Sequence, residues 1–382
     1  MIGRQLTTVA APIQVYDLTG STLAVGLLGL LQFPALLAGS IAGGTVADAF
    51  DRRRVLLVAQ LSLAVTTAGL ALNAYQANPS LLLVYLFASL SAFLSGIDYP
   101  ARTSSIPRLV EASALPATYA LRILVFQTAG AVGPALAGII IAELELGIAY
   151  WADTVAYALS LSMIALMRPL PPHEGGTRPS WRSMREGFGF IRRKQELQGV
   201  FLIDVVAMVF GMPRALFPEM GASVFGGDAR TVGYLFAAPG VGAMIAGVTS
   251  GWVGRIRMAG RATIAAVVVW AFGIVIFGLT TALPVALAAL AVAGAGDAIS
   301  AVFRSTILQT TTPDQLRGRV SAVQNVVVAG GPRAGDFEAG IVAAAYGAQV
   351  AAWSGGLLSM LGALVIGWAL PVFRNWTSGA RT

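Results

Sequence analysis

The chain has 382 residues, of which 56% are hydrophobic and 11% charged, with a formal net charge of +7. Soluble domains are about 25% charged, and a bilayer-spanning helix takes roughly 20 apolar residues. The sequence runs through about a dozen such stretches, so its composition excludes an ordinary soluble fold and predicts an all-α membrane protein with many spans.

Residue types that are missing narrow the chemistry. There is no cysteine, which excludes disulfides, thiolate metal sites and cysteine nucleophiles. The single histidine, His173, lies in "RPLPPHEGG" and reads as a loop residue, so no metal site is expected. The single lysine, Lys194 in "RRKQE", does not sit in a G-x-x-x-x-G-K-[ST] phosphate loop. No nucleophile–base pair stands out, and neither an enzyme nor a cofactor is expected.

In chain order, "MIGRQLTTVAAPIQVY" is apolar but short for a span and carries Arg4. The first span is therefore expected to be a stub, or to begin before this sequence does, the second reading being favoured. Turn signals then place span 2 at 22–47, span 3 at 55–75, span 4 at 81–106, span 5 at 117–142 and span 6 at 149–167. Span 7 is expected at 197–220, span 8 at 231–253, span 9 at 263–281, span 10 at 284–311, span 11 at 317–346 and span 12 at 350–373. The expected organisation is a six-helix half at 1–167, a linker at 168–196, a second six-helix half at 197–373 and a tail at 374–382. Within the linker, Trp181, Met184, Phe188 and Ile191 recur at helical spacing among arginines. That pattern suits a helix lying on a membrane surface, or alternatively a solvated connector.

The basic residues fall in a one-sided pattern. Eighteen of the 25 Lys and Arg sit in the tail or in the loops of one side, among them Arg52, Arg53, Arg54, Arg108, Arg255 and Arg317. The opposite loops hold Arg230. This is the positive-inside bias of a cytoplasmic-membrane protein with both termini in the cytoplasm, and not the footprint of a nucleic-acid binder.

The chain also repeats itself. Gly26 matches Gly233, Gly44 matches Gly251 and Arg54 matches Arg261, each 207 residues apart. "ARTSSI" at 101–106 resembles "FRSTIL" at 303–308, and Gly133-Pro134 matches Gly331-Pro332, 198 apart. The offset shrinks steadily, as two halves of one orientation with unequal loops require.

After span 2 comes "GGTVADAFDRRRV". Gly44, Asp48 and Arg52 to Arg54 resemble the loop signature of the major facilitator superfamily, with Ala49 and Asp51 departing from it. A glycine such as Gly44 lets helices approach closely. A carboxylate such as Asp48 pairs with an arginine or a helix N-terminus, and the basic run meets anionic headgroups. In span 5, "GAVGPALAG" (Gly130, Gly133, Pro134, Gly138) resembles the Gly-Pro motif of exporters in this superfamily; a generic small-residue packing face is the alternative. Together with "QVYDLTGSTLAVGLLGL", "DYPARTSSIPRLV" and "PDQLRGRVSAV", these motifs make nearly the whole chain similar to the branch that holds the transmembrane secretion effectors and bacterial siderophore exporters. The resemblance implies a twelve-helix fold of two six-helix pseudo-symmetric halves, with substrate bound near the midplane. It implies a secondary exporter of small amphiphilic molecules, siderophore or drug-like, that works by alternating access as a monomer. An importer of the same fold, and a receptor or assembly partner without transport, are the rival readings.

Charges inside the spans are the candidate site, because a charge at the bilayer centre normally faces a cavity or a partner. Asp98, Arg102, Arg122, Asp204 and Arg304 fall in the inner half and, with Asp48, are expected to form an inner network; Arg214 is a further intramembrane arginine. Asp297 and "GGPRAGDFEAG" at 330–340, with Arg333, Asp336 and Glu338, are expected to bind substrate or carry protons. An arginine stays charged when buried, and a carboxylate in a low-dielectric site can take a proton near neutral pH. Two alternatives stand beside this: Arg333 and Asp336 as a locked pair, and Glu338 near the outer headgroups.

Overall fold

The structure is a computed structural model that describes residues 1–171 and 181–377, without the side chains of 47, 48 and 181–184. His173 and Arg381, and the side chains of Asp48, Trp181 and Met184, lie outside what is described. Among those described, all regular structure is helical.

Six helices precede the linker: α1 (Ile2–Thr19), α2 (Thr22–Ala49), α3 (Arg52–Ala74), α4 (Leu81–Leu109), α5 (Leu115–Glu143) and α6 (Leu146–Ala165). A short helix, α7 (Trp181–Ile191), follows. The remainder comprises α8 (Gln195–Phe210), α9 (Phe217–Glu219), α10 (Ala229–Thr249), α11 (Ala259–Leu279), α12 (Leu283–Thr311), α13 (Asp314–Tyr346), α14 (Ala348–Ala369) and α15 (Pro371–Arg374). Among the described residues, ten segments are long and apolar enough to cross a membrane, with α8, α9 and the turns between them counting as one segment, Gln195–Val224. Two more long helices complete twelve: α1, and α13 with its internal charges.

The first helix, α1, has 18 residues and is about 27 Å long at 1.5 Å per residue. Gly20 ends it in the left-handed conformation (φ 61°) and returns its N–H to the carbonyl of Tyr16, the C-terminal cap that glycine alone makes without strain.

Contacts divide the chain into two compact units. One holds Met1–Gly20, the chain from Leu28 through the sixth span, and Gly227–Tyr234; the other holds Ser21–Leu27 and the rest of the second half. In the first unit α3 packs on α4 and α6, and α1 on α5 and α6. Small residues let backbones meet there. Gly39 and Gly43 lie one turn apart on α2 and face the backbone of Phe93 and Ile97 on α4, the close approach that glycine permits in membrane helices. The sequence motif put such an approach at Gly44.

The basic run after α2 is held by protein. Asp51 caps α3, accepting from the N–H groups of Arg53 (2.8 Å) and Arg54 (3.4 Å). Its other oxygen accepts from the Leu170 N–H at 3.1 Å. Arg52 donates to the Ser104 carbonyl at 3.2 Å, and Arg53 to the terminal carbonyls of α6 at Ile164 and Ala165, where a cation complements the helix dipole.

In the second unit α11 packs on α12 and α14, and α8 on α13 and α14. Phe217 stands edge-on to Phe236 (4.9 Å between centroids) and Phe277 (5.6 Å). Here α7 is docked on protein. Glu186 pairs with Arg319 at 2.7 Å, and Gly187 faces the Arg319 backbone. Ile191 is buried among Leu197, Phe201, Leu308 and Val320. Phe188 of the same helix is exposed.

The repeat seen in sequence has a structural role. Gly26 faces the backbone of Asp336 and Phe337, and Gly340 faces Thr22 and Leu23. Its counterpart Gly233 faces Pro134 and Gly138. Both matched glycines are therefore points of backbone-to-backbone contact, on α13 in one case and α5 in the other.

Candidate functional site

The site in the second unit is built around an interruption of the seventh span. Helix α8 ends at Phe210, and Gly211 follows as its cap. Met212 and Pro213 are not helical, a 3-10 turn covers Arg214–Leu216, α9 follows, and a π turn runs over Met220–Val224. Proline lacks the N–H that a continuous helix needs, which accounts for the break at Pro213. Interrupted backbone at membrane depth is tolerated where it is buried in protein or lines a water-filled cavity.

Helix α13 supplies the partner. Gly331 and Gly335 face Met208, the latter across its carbonyl, which brings α13 close to the end of α8. One residue further, Asp336 Oδ1 accepts from the Ala215 N–H at 3.1 Å. The carboxylate thus meets one of the free N–H groups that begin a new helical segment. Arg214, exposed at the break, lies within electrostatic reach of both Asp336 and Asp297. Arg333 is also within electrostatic reach of Asp336 and donates to the Ala329 carbonyl at 2.6 Å.

A second set lies on α8 and α12. Arg304 and Asp204 form an ion pair whose side chains are each 7% exposed. The same guanidinium reaches Asp297 at 3.2 Å, and the Asp297 side chain is 53% exposed. One arginine therefore connects a sealed carboxylate to an accessible one. The sequence reading kept Asp204 and Arg304 apart from Asp297; the structure joins all three. Among the described residues Glu338, partly buried, is not joined to them.

In the first unit, Arg102 makes two hydrogen bonds of 3.0 Å to Asp98, one helical turn away. Gln60 donates to Asp98 at 2.9 Å. Arg122 lies over the Tyr99 ring (5.7 Å) and donates to its hydroxyl at 3.4 Å. These residues are grouped within this unit; Asp204 and Arg304 are grouped in the other. In α5, Gly133 faces Gln5 of α1, while Gly138 faces Ala229, Arg230 and Gly233 of α10.

Several polar partners were missed in sequence. Asp153 on α6 is 1% exposed and accepts from the Thr7 hydroxyl at 2.6 Å. Tyr150 donates to Gln14 at 2.8 Å, both buried. The Thr22 hydroxyl donates to Glu219. Asp153 was legible as a carboxylate inside "YWADTVAY"; the polar partners carry no signal among so many threonines.

A family model described as "Transmembrane secretion effector" matches residues 1–380. The chain is 28% identical over 365 residues to "Enterobactin exporter EntS" of Shigella boydii serotype 18 (strain CDC 3083-94 / BS512), covering 95% of this chain and 86% of that protein. It is 27% identical over the same length to the protein of that name from Escherichia coli O139:H28 (strain E24377A / ETEC), with the same coverage. Among solved structures, the nucleoside transporter NupG matches with a TM-score of 0.74 at 14% identity, over 97% of this chain and 98% of that one. A POT family transporter in complex with 5-aminolevulinic acid matches with 0.76 at 10% identity, over 97% and 94%. A bacterial homologue of the iron transporter ferroportin matches with 0.71 at 14% identity, over 96% and 95%. At such identities the likeness to solved structures establishes the fold alone, the one expected from sequence.

Proposed function

Because the chain belongs to the transmembrane secretion effector family of major facilitator transporters, we propose that it exports small amphiphilic molecules, siderophore or drug-like, by alternating access with proton antiport. That it is a multi-pass membrane transporter follows from the family and the fold; direction, substrate and coupling are the proposal. Export is supported by the relatives, which are enterobactin exporters. The reading places the protein in the cytoplasmic membrane with both termini inside, as a monomer.

The observation that carries the coupling is the break in the seventh span. Asp336 holds the Ala215 N–H in the first turn of the new segment, and Arg214 precedes that residue. An arginine is a fixed positive charge, whereas a carboxylate can give up its charge to a proton. Protonation of Asp336 weakens a charge-assisted cap and frees Arg214 to meet an anionic substrate group. Asp297, accessible and tied to the buried pair through Arg304, is the second proton-carrying candidate, and Glu338 the third.

The test is efflux into everted vesicles driven by an imposed pH gradient, with candidate substrates compared in cells that express or lack the protein. Asp297→Asn and Asp336→Asn should each abolish gradient-driven transport. Undiminished transport in both variants refutes the coupling, and transport in the uptake direction alone refutes export.

A further inference from the structure

Arg4 and Asp153 stand apart from the groups described so far. Gly3 of α1 faces Ala156 and Asp153, residues at the middle of α6 (Leu146–Ala165). Arg4 follows Gly3 and therefore lies at the depth of the middle of that span. Its side chain is exposed, although Gly3 and Leu6 beside it are buried. Arg4 is within electrostatic reach of Asp153. The carboxylate, however, takes its short hydrogen bond from Thr7, one turn along α1, which leaves the guanidinium outward. Tyr157 of α6, the Asp98–Arg102 pair of α4 and the ammonium of Met1 are other charged or titratable groups in electrostatic reach of this cluster.

A guanidinium at that depth is costly against lipid tails and normally faces a water-filled path or a partner. Arg4 stands 22 residues ahead of Gly26, and Arg214 stands 19 ahead of the matched Gly233. The two arginines thus hold nearly corresponding places in the repeat, and each is exposed with a carboxylate in electrostatic reach.

We infer that Arg4 is a binding residue for an oxyanion group of the transported amphiphile, with Asp153 as its countercharge and Thr7 as the residue that positions Asp153. The planar fork of arginine matches a carboxylate, sulfonate or phosphate through two parallel hydrogen bonds. Thr7 keeps Asp153 from closing over the guanidinium, so the site stays open to an incoming anion. The inference rests on the transport reading and adds the substrate's chemical class to it.

The chain lacks cysteine, so a single introduced thiol reports on this place alone. Thr8 is exposed next to Arg4 and bonds to its carbonyl. In the full chain in native membranes, Thr8→Cys is treated with an anionic sulfonatoethyl and a cationic trimethylammonioethyl methanethiosulfonate, each rate referred to that of a small free thiol. We expect roughly tenfold preference for the anionic reagent, the size a nearby charge gives at intermediate dielectric. Adding Arg4→Gln should remove the preference, Arg4→Lys should retain most of it, and Asp153→Asn should increase it. A preference that Arg4→Gln leaves unchanged overturns the inference. So does a thiol that reacts with neither charged reagent, whether or not lipophilic N-ethylmaleimide labels it. Transport is measured on the same membranes: labelling as expected without transport leaves the site standing and removes the transport reading, and transport with failed labelling does the reverse.

Discussion

Asp336 on α13 accepts the backbone N–H of Ala215 at 3.1 Å, at the point where the seventh span resumes after its break. The bond ties two helices through a group whose charge a proton can cancel. Asparagine at 336 keeps an acceptor oxygen and loses the charge; alanine loses both. Asp336→Asn should therefore abolish pH-gradient-driven efflux and keep substrate counterflow within about twofold. Asp336→Ala should lose both activities and about 1 kcal/mol of stability, the usual cost of a removed cap. Thermal unfolding in detergent, read beside counterflow, separates the two variants.

The Asp204–Arg304 pair gives a different expectation. Both side chains are 7% exposed; removing Arg304 leaves Asp204 as an uncompensated buried charge, whereas removing Asp204 leaves Arg304 its contact with Asp297. Arg304→Met alone should cost about 3–5 kcal/mol, and Asp204→Leu alone less, because Asp297 still faces the guanidinium. The double replacement should recover most of that loss, because a well-packed apolar pair often matches a buried ionic one. Asp297 loses its Arg304 contact in the double variant, but its side chain is 53% exposed and water can solvate it. A double variant as unstable as Arg304→Met contradicts this.

How much of this was legible in sequence can be judged from particular residues. Long apolar runs and the matched glycines Gly26 and Gly233 were readable because bilayer thickness and backbone approach leave direct marks on composition. The pairing of Asp98 with Arg102 was readable from their spacing of four on one helix. The joining of Asp204, Arg304 and Asp297 was not, because it depends on how α8 and α12 cross. The break in the seventh span has a proline signal at Pro213, yet proline is common inside membrane helices; α2 and α4 keep theirs without breaking. Asp336 was singled out for its charge, but its partner is a backbone N–H, which no sequence pattern marks.

Asp51 departs from the loop signature, and the structure gives it three backbone N–H partners, those of Arg53, Arg54 and Leu170. Asp51→Ala should cost about 1–2 kcal/mol through the lost cap. Asp51→Gly should cost less at the cap, since glycine there is only a few tenths worse, but it loses the Leu170 bond equally. Hydrogen exchange read by mass spectrometry should show the Leu170 amide faster in both variants and the first turn of α3 faster in Asp51→Ala. Unchanged exchange at Leu170 would remove this account of why a carboxylate stands at 51.

The glycines of α5 offer a comparison within one helix. A side chain added at Gly138 would meet the backbone of Ala229, Arg230 and Gly233 on α10. At Gly130, eight residues earlier, the nearest atom to an added Cβ is Gln5 Nε2 at 3.8 Å, the end of a flexible side chain. Gly138→Val should therefore destabilise the protein by roughly 1–3 kcal/mol through overpacking, and Gly130→Val by less than 1 kcal/mol or so. Gly233→Val should match Gly138→Val, because the two glycines face each other, and combining them should cost less than the sum, since one displacement of α10 relieves both. Thermal unfolding of the four variants in the same detergent measures this. Equal losses at 130 and 138 would mean that the motif acts through helix propensity alone and not through the contact with α10.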